Sequence, residues 1–167
     1  MKRSVALLLV ILISSLALFS CAPLERGYLE VKLDLPDSFR THDSGGTYDA
    51  SYTDGRMIVG VLRLSFDAME NEGIPATMTP LRFAEYYKDH FVNSLDPTEV
   101  REEGDVPYLS YSSGDGFSYL ATFYFSPYAY FVVTYVARDE YFEALKPIML
   151  SYASLVTVDP YIIDRAE

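Results

Sequence analysis

Cysteine and tryptophan are nearly missing from this 167-residue chain: Cys21 is the only cysteine, and there is no tryptophan. One cysteine cannot form a disulfide within the chain, and it excludes zinc sites that need several cysteines. The two histidines, His42 and His90, fall on different predicted elements, without the spacing of a metal site. A hydrophobic core must therefore stabilise the fold, and no cofactor is expected.

Positive charge is also scarce, because 13 Lys and Arg face 24 Asp and Glu, which gives a net charge of −11. A surface this acidic repels the phosphates of nucleic acids and of anionic lipids. We therefore expect no nucleic-acid partner. The nine glycines form no phosphate-binding loop, and residues 112–116 lack the Gly-x-Ser-x-Gly pattern of a serine nucleophile. Those residues predict a hairpin turn.

The N-terminus carries the only long apolar run of the chain, residues 5–19, which is broken only by two serines. Lys2 and Arg3 precede the run and Ser20 follows it, which is the pattern of a secretory signal. As a helix, fifteen residues rise about 22 Å, less than the roughly 30 Å of a bilayer's hydrocarbon core. The pattern predicts a signal peptide over residues 1–20.

The end of this run, Leu18-Phe19-Ser20-Cys21, resembles the lipobox of bacterial lipoproteins. Leu18 and Ser20 match that motif, whereas Phe19 replaces its usual small residue, which indicates relaxed lipobox rules or slower processing. The resemblance implies a lipid on Cys21, a short tether over residues 21–27, and export to a bacterial cell membrane. The alternatives are an ordinary signal peptide with an incidental cysteine, or an uncleaved anchor.

Residues 28–167 predict a single α+β domain, large enough to bury a core. Alternating apolar residues predict strands at 28–35 and 56–66, and Asp54-Gly55 predicts a tight turn. Thr79-Pro80 predicts the start of a helix with apolar positions at Leu81, Ala84, Tyr87, Phe91 and Leu95. A second helix is predicted over residues 139–156, with Pro147 inside it.

The strands at 117–125 and 128–136 are apolar on both faces, which is typical of strands in the middle of a sheet that is covered on both sides. Most of the fifteen tyrosines and ten phenylalanines are expected in this core, and a minority on a binding surface. The order of the elements predicts a largely antiparallel sheet of about six strands with helices packed on its faces.

Three segments resemble the PsbP-like and DcrB-like family of sandwich lipoproteins and accessory proteins. They are the strand Leu29-Glu-Val-Lys-Leu-Asp-Leu-Pro36 with Phe39 after it, the helix after Thr79-Pro80, and the closing segment 137–156 with Pro147 and a serine, Ser151 or Ser154. Phe39 stands where the family often has tryptophan. The resemblance implies this fold, an accessory or binding role, and no catalytic residue.

The sequence is compatible with three functions. The first is a non-catalytic envelope module for a membrane-proximal protein partner. The second is a hydrolase or metal-dependent enzyme that uses acidic residues, either Glu70 with Glu72, Glu102-Glu103 with Asp105, or His42-Asp43 with Asp37, Asp49 and Asp54. The third is a carrier of a small ligand or metal with a pocket between sheet and helix.

Residues 67–78 predict a loop that contains the apolar side chains Met69, Ile74 and Met78. Apolar side chains in a loop either fold back over the core or contact a partner, for which methionine is well suited. We predict Met69, Ile74 and Met78 as candidate partner contacts, with fold-back packing as the alternative.

Overall fold

Nine strands, three α-helices and one short 3-10 helix (Asn93–Leu95) lie in the part of the chain that the computed structural model describes, residues 31–75 and 78–158. The predicted signal peptide, Cys21 and the tether lie outside these residues. The strands are β1 (Val31–Lys32), β2 (Arg40–Thr41), β3 (Ala50–Thr53), β4 (Met57–Ser65), β5 (Arg101–Glu103), β6 (Val106–Ser112), β7 (Phe117–Phe125), β8 (Ala129–Arg138) and β9 (Thr157–Val158). The helices are α1 (Phe66–Asn71), α2 (Pro80–His90) and α3 (Asp139–Ala153).

Seven of the strands form one antiparallel sheet in the order β2-β3-β4-β8-β7-β6-β5. β8 is its central strand, and all its residues except Arg138 are buried, as the uncharged run from Phe117 to Ala137 predicts. The short strands β2 and β5 cover the two edges with charged residues, which discourages pairing with other chains. The predicted α+β class is confirmed.

The sheet separates two hydrophobic clusters, because successive side chains of each strand point to opposite faces. β4 shows this directly: Val59 and Val61 belong to the cluster beneath α3, whereas Leu62 and Leu64 pack against the cluster beneath α2. The largest fully buried side chains of the two clusters are Phe131, Tyr135 and Leu120 on the α3 side, and Phe83, Phe123 and Tyr130 on the α2 side.

Helix α2 begins where the sequence predicts, because the Thr79 side chain accepts a hydrogen bond from the Arg82 amide and Pro80 occupies the first turn. The predicted buried stripe is wrong at its end. Phe83 and Ala84 are buried, whereas Phe91 is 39% exposed. The helix ends at His90, and Phe91, whose ring still stacks on Tyr87 with centres 5.2 Å apart, is left partly uncovered at this end.

Helix α3 continues across Pro147 and buries Phe142, Leu145 and Met149, which lie three and four residues apart on one helix face. The predicted strand at 28–35 is reduced among the described residues to Val31 and Lys32, which pair with β9 outside the main sheet. Leu33 and Leu35 still pack against the core, but β2 already occupies the sheet edge. No helix within the described ranges has both the length and the apolarity needed to cross a bilayer.

Candidate functional site

The acidic residues that were candidates for hydrolysis or metal binding lie apart, and all of them except Asp54 are exposed. Glu70 and Glu72 are exposed at the end of α1, and Glu102 and Glu103 are exposed on the edge strand β5. Within residues 31–75 and 78–158, no three His, Cys, Asp or Glu side chains come together as a metal site would require. The structure therefore does not bring these carboxylates together.

The acidic stretch around His42 supports the backbone instead. An Asp49 carboxylate oxygen accepts a hydrogen bond from the Arg63 amide over 2.6 Å, and Asp43 accepts one from the Gly45 amide over 2.9 Å. The His42 amide donates to the Ser51 carbonyl, which extends the pairing of β2 with β3. Ser113, in the predicted hairpin turn, contacts Asp115 and lies between β6 and β7.

The candidate contact residues Met69, Ile74 and Met78 lie beside the α2-side core. Residues 66–71 form α1 rather than a loop, capped by the Ser65 hydroxyl. Met69 is buried, and Ile74 and Met78 are partly buried against the same cluster. The Tyr130 hydroxyl donates to the Met78 carbonyl over 2.7 Å. Fold-back packing thus accounts for Met69, and a partner contact at Ile74 or Met78 stays a prediction.

Replacing Ile74 with alanine tests that prediction. If Ile74 contacts a partner, Ile74→Ala lowers partner capture in membranes while the melting temperature stays nearly unchanged. If Ile74 only covers the core, the loss of buried surface lowers the free energy of unfolding by about 1–3 kcal/mol. Thermal denaturation and crosslinking of the same variant distinguish the two results. An unchanged yield with a lower melting temperature assigns Ile74 to the core.

A cavity of about 490 Å³ opens where the β3–β4 turn meets the start of α3. We call it the β3–β4 cleft. The turn that borders it is the one that Asp54-Gly55 predicts, and Gly55 adopts a φ of +85° there, which favours glycine. The walls are mainly apolar. The residues that line it are Thr53, Gly55, Arg56, Met57, Ile58, Phe117, Val136, Ala137, Arg138, Tyr141, Ala144 and Leu145.

Two arginines lie at this cleft, and each has a defined support. Arg56 makes a two-point contact with one Asp54 carboxylate oxygen, at 2.8 Å from Nη2 and 3.1 Å from Nε. Burial opposes ionisation of Asp54, but hydrogen bonds from the Arg56 and Met57 amides and the Arg56 side chain outweigh it and lower the pKa of this carboxyl. The Arg138 guanidinium lies 5.9 Å from the centre of the Phe117 ring.

Tyr141 completes the cleft from the first turn of α3, and 53% of its surface is exposed. Tyrosine offers apolar area and a polar hydroxyl with few rotatable bonds. Arg56, Arg138 and Tyr141 were not identified from the sequence. The sequence marked only the Asp54-Gly55-Arg56 turn, through its local turn pattern. The other residues of the cleft meet because β4 pairs with β8 and β8 pairs with β7.

A cluster of four tyrosines lies on the α2 side of the sheet: Tyr48, Tyr87, Tyr111 and Tyr119. The Tyr48 ring covers Gly60 so closely that a Cβ atom at position 60 would lie 2.6 Å from it. Tyr111 and Tyr119 stack with their ring centres 5.0 Å apart. Burial, with the neighbouring Tyr87 and Tyr119, raises the pKa of Tyr48 to about 12. Burial also raises the pKa of Tyr111, so these hydroxyls stay neutral and structural.

No family model and no curated protein matches the chain. A solution structure of the PsbP protein from the cyanobacterium Synechocystis sp. PCC 6803 aligns with a TM-score of 0.44 and 16% identity, over 83% of this chain and 97% of that one. LpqN, which is involved in cell envelope biogenesis of Mycobacterium tuberculosis, aligns with a TM-score of 0.43 and 14% identity, over 78% of this chain and 83% of its own. The first is a PsbP protein, the family that the sequence itself resembles.

Proposed function

We propose that this chain is an exported lipoprotein, anchored to a bacterial cell membrane by lipid on Cys21. Its folded domain is a non-catalytic module that binds a membrane-proximal protein partner in the β3–β4 cleft. The observation that carries this proposal is the composition of the cleft, which combines apolar walls with Arg56, Arg138 and an exposed Tyr141.

Arginine and tyrosine are the residue types on which affinity in protein interfaces concentrates, above all where they flank a desolvated apolar centre. Arg56 is held by Asp54 and Arg138 rests on Phe117, so less side-chain entropy is lost on binding. Asp54 also offsets the charge of Arg56, which leaves Arg138 as the cation for a partner. The partner segment should therefore carry an apolar side chain next to a carboxylate.

The size of the cleft favours a second candidate, a small amphipathic anion, because about 490 Å³ falls within the range of small-molecule sites. Native mass spectrometry of the purified chain separates the two candidates. A small ligand would appear as a discrete added mass that Arg138→Gln removes. A protein partner would leave the mass of the purified chain unchanged and would be captured only in membranes.

Photocrosslinking in membranes tests the cleft. We expect a photoreactive residue in place of Ala144, which is exposed on α3 and lines the cleft, to capture one partner. The same residue in place of Ser151, exposed on α3 outside the cleft, should capture none. Arg138→Gln and Tyr141→Ala should each weaken capture by roughly 30-fold, as the loss of about 2 kcal/mol at an interface hot spot implies. Arg101→Gln, on the exposed edge strand β5, is the charge-matched control. Equal capture by all variants, with unchanged melting temperatures, contradicts the proposal.

Cys21→Ser tests the anchor. Several acyl chains hold a protein stably in a bilayer, since each buried CH₂ contributes about 0.8 kcal/mol. We expect the wild-type chain in the membrane fraction and labelled by a fatty-acid analogue, and the variant unlabelled and released or unprocessed. Equal labelling of both chains would show that the lipid is not on Cys21.

A further inference from the structure

The hairpin between β7 and β8 projects two aromatic rings into solvent. Phe125 is 53% exposed and Tyr128 is 48% exposed, and we call residues 125–128 the β7–β8 tip. The buried Ser126 hydroxyl accepts hydrogen bonds from the Tyr128 and Ala129 amides, over 3.2 and 3.1 Å. The turn is therefore rigid. Exposed aromatic rings on a rigid turn form an apolar surface patch, and such patches mark protein or membrane interaction sites.

The described chain begins on the α3 side of the sheet, paired with the segment that follows α3. From Asp139, α3 runs back along β8 until the Tyr124 hydroxyl, next to the tip, donates to the Ala153 carbonyl over 2.8 Å. Leu155 follows and is 48% exposed. Val158, three residues after Leu155, then pairs with Val31 of β1. Cys21 precedes Val31 by ten residues.

Two segments that contribute to this end carry no charge. There is no charged residue from Phe117 to Ala137 or from Pro147 to Val158, although the whole chain has a net charge of −11. Acidic residues border this end on neighbouring segments. Asp67 follows Phe66, whose amide donates to the Tyr128 carbonyl, and Glu103 lines a cavity together with Ser151 and Ser154 near the end of α3. These carboxylates limit contact to a shallow layer of lipid without net charge.

We propose that this end of the domain rests on the lipid bilayer, with Phe125, Tyr128 and Leu155 inserted into the interfacial layer of an uncharged or zwitterionic membrane. The inference rests on the proposed anchor at Cys21. Ten extended residues span at most roughly 35 Å, so the anchor keeps the tip close to the lipid and a weak insertion suffices. Tyrosine prefers this layer, where its ring is apolar and its hydroxyl is hydrated.

This orientation also determines how far the β3–β4 cleft lies from the membrane surface. β8 runs for ten residues from the tip to Arg138 at the cleft, a length of roughly 33 Å. The cleft would face away from the membrane surface at about that distance. A partner that binds there must extend from the bilayer by a comparable length, which distinguishes it from a purely membrane-embedded protein.

The absence of tryptophan allows a direct test, because Phe125→Trp introduces the only indole fluorophore of the protein. The chain from Cys21 onwards contains every described residue, and its one thiol can be coupled to a maleimide lipid in phosphatidylcholine vesicles. We expect Phe125→Trp, and Tyr128→Trp as a second position, to shift their emission to shorter wavelength on vesicles and to be quenched by brominated phosphatidylcholine. Tyr141→Trp, at the opposite end, should show neither change.

Chemical coupling separates this inference from the proposed anchor. If both tip variants float with the vesicles and still emit as in free solution, the inference is overturned, whatever Cys21 carries in the cell. If Cys21→Ser labels normally in the cell but the coupled tip variants are quenched, only the proposed lipidation fails. A shift without vesicles that grows with protein concentration would indicate a second copy of the chain on this surface, and would also overturn the inference.

Discussion

Phe123→Ala is expected to lower the free energy of unfolding by about 3–5 kcal/mol, a large part of the stability of a small domain. Phe123 lies on β7 and is only 1% exposed. Its ring packs edge-on against Phe83 and Tyr87, with centres 5.8 and 5.3 Å apart. Alanine would remove both aromatic contacts and leave a cavity that the strand and the helix cannot close without moving α2.

Phe125→Ala is the matched control for this measurement. Phe125 has the same chemistry and lies two residues further along the same strand, but half of its surface is already exposed. We expect its removal to change stability by less than about 0.5 kcal/mol. Urea denaturation of both variants gives the comparison. Similar losses for Phe123→Ala and Phe125→Ala would contradict the assignment of Phe123 to the α2-side core.

Raising the pH above about 10 is expected to unfold the domain cooperatively. Burial raises the pKa of Tyr48 to about 12, and burial likewise raises the pKa of Tyr111, Tyr124 and Tyr135. In the unfolded chain, tyrosine ionises near pH 10. Between these values the unfolded state binds fewer protons than the folded state, so stability is constant below about pH 10 and falls as the pH rises.

The loss of unfolding free energy at alkaline pH should exceed the loss that most single substitutions cause. The shift of Tyr48 alone corresponds to roughly 2 kcal/mol at pH 12, and the other buried tyrosines add to it. The measurement follows tyrosinate absorbance and circular dichroism in one pH titration. We expect the two signals to change together. Independent ionisation near pH 10 with the fold intact would contradict the burial of these hydroxyls.

Two phenylalanine variants separate the contributions of single hydroxyls. The Tyr135 hydroxyl is buried and has no hydrogen-bond partner among the described residues, so Tyr135→Phe should leave stability at pH 7 unchanged or increase it. It should also move the alkaline midpoint upwards. Tyr124→Phe should cost about 1 kcal/mol at pH 7, because the Tyr124 hydroxyl donates to the Ala153 carbonyl.

The local patterns of this sequence were sufficient to predict the elements whose surroundings are uniform along their length. β8 could be predicted as a central strand because neither of its faces carries a charge, and a strand with two apolar faces must be covered on both. The start of α2 could be predicted because Thr79 and Pro80 act through their own backbone neighbours. The lipobox resemblance at Cys21 is equally local, and the location that it implies stays a prediction.

Tertiary structure decided the features that depend on how an element ends and on what lies beside it. Phe91 is partly exposed at the end of α2. Among the described residues, the opening segment pairs through Val31 and Lys32 with β9 and not with the main sheet. The β3–β4 cleft joins Arg56 with Arg138, which are far apart in sequence. Periodicity fixes which face a residue takes within its own element, but the register between strands determines which distant residues meet.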